Sequence, residues 1–179
     1  VIIDARHVRF YVTGAENITQ EYGEMYEDPG VYAVTYGKLF GEGTKRLHVA
    51  VEGSVDTTKL GSCTLKYWTR WMFTDYVTER NVTVIDTTPP VIELKHIEGY
   101  EASWMDGYEE EGYTAFDSCD GDLTSKVVRT EDKDKVTYTV TDSSGNTATA
   151  VREIEYAKTE PRIILNGDEN MVFTARTDF

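Results

Sequence analysis

The strongest constraint on how this chain can fold is an internal repeat whose opening occurs three times. Three short apolar runs are each followed, fourteen residues after their last member, by an aromatic residue: Val12 and Tyr26, Leu94 and Tyr108, Leu165 and Phe179. The first two copies continue in step, since each aromatic residue is followed four positions later by a glycine, Gly30 or Gly112. Self-similarity of this kind predicts an array of similar small units.

The repeat also predicts the boundaries between units. We assign residues 1–86 to a first unit, residues 87–158 to a second and residues 159–179 to the opening of a third. Residues 1–5 can alternatively be counted as the end of a preceding copy, because they correspond to the segment that closes the first unit. Pro89 and Pro90 lie just after the first boundary, where their fixed φ stiffens the joint. Units this short have small cores, so we expect each to be only modestly stable alone.

The second unit contains the clearest strand pattern. Val136, Tyr138 and Val140 alternate with threonines, which is the period expected of a strand with one apolar face. The polar segment 142–146 then interrupts the pattern, and its Gly145 accepts positive φ without steric cost, so a hairpin turn is predicted there.

The rest of the chain also indicates strands. Leu47, Val49 and Val51 alternate with more polar residues and predict a strand in the first unit. The segment 91–94 follows two prolines, and prolines within sheets favour edge strands. Many short strands separated by turn residues predict an all-β fold, a sandwich of two antiparallel sheets.

Composition excludes several kinds of partner. The chain has 32 acidic and 18 basic residues, and its formal net charge of −14 argues against nucleic acid and anionic membrane surfaces. No apolar stretch approaches the roughly 20 residues of a membrane span. Cys63 and Cys119 lie in different units at positions that do not correspond, so neither unit can form an internal disulfide. A bridge between units would need Cα atoms within about 7 Å of each other.

The second unit carries five ordered elements that together resemble a known family. They are Thr87-Thr-Pro-Pro-Val-Ile-Glu-Leu, Tyr108 with Gly112, Ala115-Phe-Asp, Asp120-Gly-Asp, and Tyr138-Thr-Val-Thr-Asp-Ser-Ser-Gly-Asn. In this order they resemble the bacterial immunoglobulin-like surface repeats of unknown function, which also occur in some crystal toxins and are close to hyalin-repeat modules. The first unit matches only at its opening and in its general strand pattern.

This resemblance implies tandem immunoglobulin-like antiparallel β-sandwiches in a secreted or wall-attached protein. Repeats of this family are commonly spacers or adhesive modules beside an enzyme or an anchor. The family supplies no catalytic residues to carry over.

A group of aspartates in the second unit is a candidate metal site. Asp117, Asp120 and Asp122 lie close in sequence, and Asp142 is a further candidate ligand. Carboxylate oxygens suit calcium, which takes six to eight oxygen ligands, although the spacing does not fit an EF-hand loop. The alternative is that these carboxylates cap turns by accepting hydrogen bonds from nearby backbone N–H groups.

A cluster of aromatic residues in the first unit is a candidate binding surface. Four residues near the position of the second unit's hairpin turn are proposed for it: Trp68, Trp71, Phe73 and Tyr76. Flat rings with polar groups suit sugars or a partner protein, but large aromatic side chains are also the usual residues of a core. Because Trp71 and Phe73 flank Met72 without a gap, strict alternation buries only part of this set.

Two function classes follow from these observations. The first is a non-catalytic extracellular spacer or adhesion module of a bacterial surface or secreted protein, which would meet a protein or glycan partner at the cell surface. The second is an accessory region, positioning or glycan-binding, of a surface carbohydrate-active enzyme whose catalytic domain lies outside this segment. In both cases we expect a monomeric, extracellular or wall-attached chain without its own catalytic site.

The segment 159–179 generates a prediction of its own. A strand that opens a unit without its partners leaves backbone groups unpaired and invites pairing with another chain. Deleting the residues after Thr159 should therefore leave the melting temperature of the second unit nearly unchanged and reduce self-association in sedimentation experiments. Unfolding of the second unit on deletion would instead make the tail one of its strands.

Overall fold

The structure is a computed structural model in which residues 2–5, 7–36 and 44–158 are described, with the backbone alone for residues 3–5. The predicted third opening, 159–179, lies outside the described residues. Eight strands are described before residue 86: β1 Ile2–Ala5, β2 Val8–Val12, β3 Asn17–Glu21, β4 Val31–Thr35, β5 Arg46–Leu47, β6 Ala50–Glu52, β7 Gly61–Trp71 and β8 Thr74–Ile85. Six follow: β9 Val91–Leu94, β10 Tyr113–Asp117, β11 Gly121–Asp122, β12 Val128–Glu131, β13 Lys135–Thr141 and β14 Thr147–Glu153. A 3₁₀ turn, Thr124–Lys126, precedes β12.

Strands β1–β8 form two four-stranded sheets that pack face to face. One sheet has the order β1-β2-β4-β5 and the other the order β3-β8-β7-β6. Val8, Phe10 and Ala33 of the first sheet are buried and pack against Trp71 and Tyr76 of the second. The all-β, immunoglobulin-like sandwich predicted from the sequence is therefore present.

One strand pair departs from the antiparallel prediction. β3 runs parallel to β8, with Asn17 opposite Asn81 and Glu21 opposite Ile85. The chain leaves β2 in one sheet and enters β3 in the other through Gly14, whose φ of 74° lies in the left-handed region. The other described ladders are antiparallel.

The alternation from Leu47 to Val51 does not form one strand. Leu47 belongs to β5, which pairs with β4, whereas Ala50 and Val51 belong to β6, which pairs with β7 of the opposite sheet. The chain crosses between the sheets at His48, whose carbonyl accepts a 2.7 Å hydrogen bond from the Thr69 hydroxyl. The alternation of apolar and more polar residues continues unbroken from β5 into β6, so the sequence pattern does not reveal the crossing.

Strands β9–β14 form two three-stranded sheets, of order β11-β10-β9 and β12-β13-β14. Val136, Tyr138 and Val140 of β13 are buried as predicted, and Ile92 of β9 packs against them from the other sheet. β9 is an edge strand, and Gly145 in the hairpin turn has a φ of 94°. Every described ladder lies within β1–β8 or within β9–β14, and the unit boundaries stay a prediction.

A fully buried arginine anchors the loop of residues 22–30 to its sheet. Arg80 of β8 donates to the carboxylate of Asp28 and to the carbonyl of Thr13, and its Nε donates to the carbonyl of Ala15 at 3.1 Å. The Tyr67 hydroxyl lies 2.9 Å from both oxygens of the same carboxylate. Burial, followed by the hydrogen bond to Asp28, raises the pKa of Tyr67 far above its usual range.

The second group of sheets contains a matching arrangement. Arg152 of β14 is buried and donates to Glu111 at 2.6 Å and to the carbonyl of Gly112 at 2.8 Å. The Tyr138 hydroxyl donates to Glu110 at 2.7 Å, and burial followed by this bond raises the pKa of Tyr138.

The two arrangements agree in chemistry, and their acids also agree in sequence position. Asp28 and Glu110 each lie two residues after the aromatic residue of their repeat, Tyr26 or Tyr108. In both cases the guanidinium lies over the ring of the buried tyrosine, at 5.6 Å in the first group and 6.0 Å in the second. Both halves of the structure thus place a buried arginine and a buried tyrosine beside an acid that stands at the same point of the sequence repeat.

Replacing Arg80 tests how much the first trio contributes. Arg80→Met should lower the free energy of unfolding by about 3–5 kcal/mol, because Asp28 loses its cation and two carbonyls lose their donor. We expect a loss near the lower end of this range, because Asp28 keeps 27% of its side-chain surface exposed and water can solvate it in part. Arg70→Met is the matched control, because Arg70 and Asp75 form an exposed ion pair and exposed pairs contribute little. Equal losses for the two variants in urea denaturation would contradict this account.

Candidate metal centre and aromatic hairpin

Three buried aspartates from separate segments meet at one place. One carboxylate oxygen of each of Asp86, Asp117 and Asp142 lies within 4.8 Å of the other two. Asp86 directly follows β8, Asp117 ends β10 and Asp142 directly follows β13. Their relative exposures are 7%, 2% and 7%. Strand ends from both groups of sheets therefore supply this cluster.

One oxygen of each carboxylate is held by backbone N–H groups. Asp117 Oδ1 accepts from the N–H groups of Cys119 and Asp120 at 2.7 and 2.9 Å. Asp142 Oδ1 accepts from two N–H groups of the hairpin turn, at 2.9 and 2.8 Å. Asp86 Oδ1 accepts from the N–H of Thr88 at 3.2 Å. These bonds fix the direction of each carboxylate.

The remaining oxygens are poorly satisfied. The Oδ2 atoms of Asp86 and Asp117 are buried and have no hydrogen-bond partner. Asp142 Oδ2 accepts from the Asn146 side chain at 2.9 Å. Among the described residues, no lysine, arginine or histidine forms an ion pair with any of the three carboxylates. Three mutually repelling charges with two orphaned oxygens can be relieved by a cation or by a proton.

The structure brings together only two of the four predicted ligands. Asp117 and Asp142 belong to the cluster, whereas Asp120 and Asp122 cap nearby turns. Asp120 accepts from the hydroxyl and the N–H of Ser143, both at 2.6 Å, and these bonds lower its pKa. Asp122 accepts from the N–H of Thr124 at 2.9 Å, and bonds from the hydroxyl and N–H of Thr124 lower its pKa.

Sequence analysis missed Asp86 because it lies 31 positions before Asp117 and in a different predicted unit. The sequence signal that could have pointed to Asp86 is its position directly before the Thr-Thr-Pro-Pro segment. That segment lies between the end of β8 and the start of β9.

The segment around Asp86 is held from two sides. Glu21, at the end of β3, accepts hydrogen bonds from the N–H of Thr87 at 2.8 Å and from the hydroxyls of Thr87 and Thr88 at 2.9 Å. The Asn146 side chain donates to the carbonyl of Asp86 at 3.2 Å. Residues 86–88 thus contact both β3 and the hairpin turn between β13 and β14.

The four aromatic candidates divide between two faces of the β7–β8 hairpin. Trp71 and Tyr76 are partly buried and pack in the core between the first two sheets. Trp68 is 39% exposed on the opposite face, and Phe73 is completely exposed at the turn, where its φ is 70°. The set therefore does not form one continuous surface.

Trp68 is the centre of a surface that we call the hairpin face. Three cross-strand pairs form it: Lys66 and Glu79, Trp68 and Val77, Arg70 and Asp75. The outer two pairs are charged, and Arg70 contacts the Asp75 carboxylate through two nitrogens at 2.6 and 2.8 Å. These side chains line a shallow groove together with Glu52. An exposed aromatic ring between hydrogen-bonding groups is the chemistry of a sugar-binding surface.

Other candidate chemistry is limited. Cys63 and Cys119 are both free thiols, and burial, followed by the surrounding aspartates, raises the pKa of Cys119. Among the described residues, no helix has the length and hydropathy that crossing a membrane requires.

Comparison with known proteins gives one family match. Residues 10–84 match the family model of the bacterial surface protein Ig-like domain, a span that runs from within β2 to the last but one residue of β8. The crystal structure of a lipoprotein from Bacteroides thetaiotaomicron is similar over 82% of this chain and 99% of its own, with 17% identity and a TM-score of 0.37. No curated protein matches the chain.

The contact between Glu21 and residues 87–88 should depend on pH. The backbone bond from Thr87, followed by its hydroxyl bond, lowers the pKa of Glu21 from its ordinary value of 4.5. Because the folded-state pKa is lowered, the contact contributes stability above pH 4.5 and loses it as the pH falls through the folded value. The amide resonance of Thr87 should titrate with a midpoint below 4.5, and Glu21→Gln should abolish that titration. A midpoint at or above the ordinary value would contradict this interpretation.

Proposed function

We propose that this chain is a non-catalytic spacer and adhesion module of a bacterial surface or secreted protein, and that the hairpin face binds a glycan. The family match over residues 10–84 supports placement at the bacterial surface. The observation that carries the binding role is Trp68, an exposed aromatic ring set between two charged cross-strand pairs.

The chemistry of the hairpin face favours a sugar over an apolar protein surface. The ring of Trp68 offers a flat stacking surface, while Lys66, Glu79 and the Arg70–Asp75 pair offer both donors and acceptors. The only other large apolar side chain of this face is Val77, so the face lacks the contiguous apolar patch typical of protein interfaces. Hydroxyl groups of a sugar could bond the charged side chains on either side of the ring.

The second candidate is an accessory region of a surface carbohydrate-active enzyme, and Trp68 is compatible with it as well. The two roles differ in the ligand. An adhesion module would bind short glycans that end surface glycoconjugates, whereas an accessory region would bind internal stretches of the polysaccharide that its enzyme cleaves.

A glycan array with the full chain tests the proposal. Trp68→Ala should abolish binding, because the stacking surface is lost, while Trp68→Phe should retain part of it. Trp104→Ala is the matched control, since Trp104 is also exposed but stacks on Tyr156 at 4.3 Å, away from the hairpin face. An array without bound glycans, or equal binding by the two alanine variants, would contradict the binding role.

A further inference from the structure

We propose that Asp86, Asp117 and Asp142 hold one calcium ion, which ties the end of β8 to the loops after β10 and β13. The proposal stands apart from the glycan-binding role, because the cluster and the hairpin face share no residue. It also differs from the site expected from sequence spacing, in which Asp120 and Asp122 were ligands and Asp86 was not.

The unpartnered oxygens carry the argument. Asp86 Oδ2 and Asp117 Oδ2 are buried without a hydrogen-bond donor, on side chains more than nine-tenths buried. The Oδ1 atoms accept hydrogen bonds from backbone N–H groups, as expected of carboxylates that cap turns. Turn capping does not account for the burial of the two Oδ2 atoms without a donor. Buried polar groups in folded proteins are nearly always paired, and an unpaired charged one is costly.

The geometry fits a single calcium ion. Calcium binds oxygen at 2.3–2.6 Å, so two oxygens on opposite sides of one ion lie about 4.8 Å apart. The three carboxylates each place an oxygen within 4.8 Å of the other two. Three carboxylates supply three to six of the six to eight oxygens that calcium takes, and water can complete the set. An all-oxygen donor set also favours calcium or magnesium over the softer transition metals.

The ligands are held in place before an ion arrives. Backbone N–H groups anchor the Oδ1 atom of each aspartate, so binding would cost little side-chain entropy. Asn146 bonds both Asp142 Oδ2 and the carbonyl of Asp86, and it thereby joins two of the three ligand segments.

The first group of sheets shows that the fold itself needs no such ion. Subtracting the repeat offset of 82 (94 − 12) from 117 places Thr35 where Asp117 stands. Thr35 is buried, and its hydroxyl accepts the N–H of Lys45 at 3.0 Å. The place of Asp117 is filled there by a neutral hydrogen-bonded group, so Asp117 has no acidic counterpart in the first group of sheets.

Calcium titration of the full chain, after treatment with a chelator, tests the site. Isothermal titration calorimetry should give one ion per chain with a dissociation constant of about 10⁻⁴ to 10⁻³ M, the range of extracellular calcium modules. The melting temperature should rise with calcium concentration, because the ion binds only the folded chain. Sodium chloride of matched ionic strength should give no such rise, and magnesium should bind more weakly.

Asparagine substitutions identify the ligands. Asp117→Asn and Asp86→Asn should each weaken calcium binding at least about tenfold, because they keep the Oδ1 acceptor and remove a ligand charge. Asp120→Asn and Asp122→Asn are matched controls on the same loop and should leave the affinity within about twofold. Circular dichroism in the absence of calcium would identify a variant that fails to fold, and the other ligand variant then decides the assignment.

Several results would overturn the proposal. The first is no calcium binding up to 10 mM, a concentration about tenfold above the weakest expected constant. That outcome would mean that the three carboxylates meet without a bound calcium ion. The second is equal weakening by the ligand variants and the controls, and the third is magnesium binding as tight as that of calcium.

Discussion

A buried arginine joins each group of sheets to the loop that follows the aromatic residue of its repeat. Arg80 bonds Asp28, while Arg152 bonds Glu111 and the carbonyl of Gly112. A guanidinium removed from water needs several acceptors at once, so its burial fixes where the loop must lie. A buried tyrosine on the neighbouring strand donates its hydroxyl to the same loop, Tyr67 to Asp28 and Tyr138 to Glu110. This polar trio sets the register of each sandwich more specifically than interchangeable apolar contacts can.

The second organising feature is the junction at residues 86–88. Glu21 and Asn146 hold it through hydrogen bonds from opposite sides, and the acidic cluster lies at its start. Residues 86–88 are therefore subject both to these hydrogen bonds and to the charges of the acidic cluster. With the proposed ion present, the segment would be fixed by coordination as well as by hydrogen bonds; without it, repulsion among three carboxylates would oppose those bonds.

Sequence patterns predicted the parts of the structure that depend on local periodicity. Val136, Tyr138 and Val140 are buried because alternate residues of β13 face the opposing sheet, and Gly145 has positive φ because the turn requires it. The crossing at His48 could not be predicted, since alternation is the same in either sheet. Asp86 was missed because a cluster assembled from three strand ends has no fixed spacing in the sequence. The aromatic cluster was predicted as a group, but only the strand pairing separates Trp68 from Trp71.

The parallel pairing of β3 with β8 has a mechanical consequence. The five residue pairs of this ladder join a strand near the start of the first sandwich to the strand that leads out of it. Tension applied between the start of β3 and the end of β8 would pull these two strands past each other and load all their hydrogen bonds together. An antiparallel hairpin pulled from its open end would instead separate one bond at a time. A sandwich closed by such a ladder is therefore expected to resist stretching more than one closed by an antiparallel hairpin.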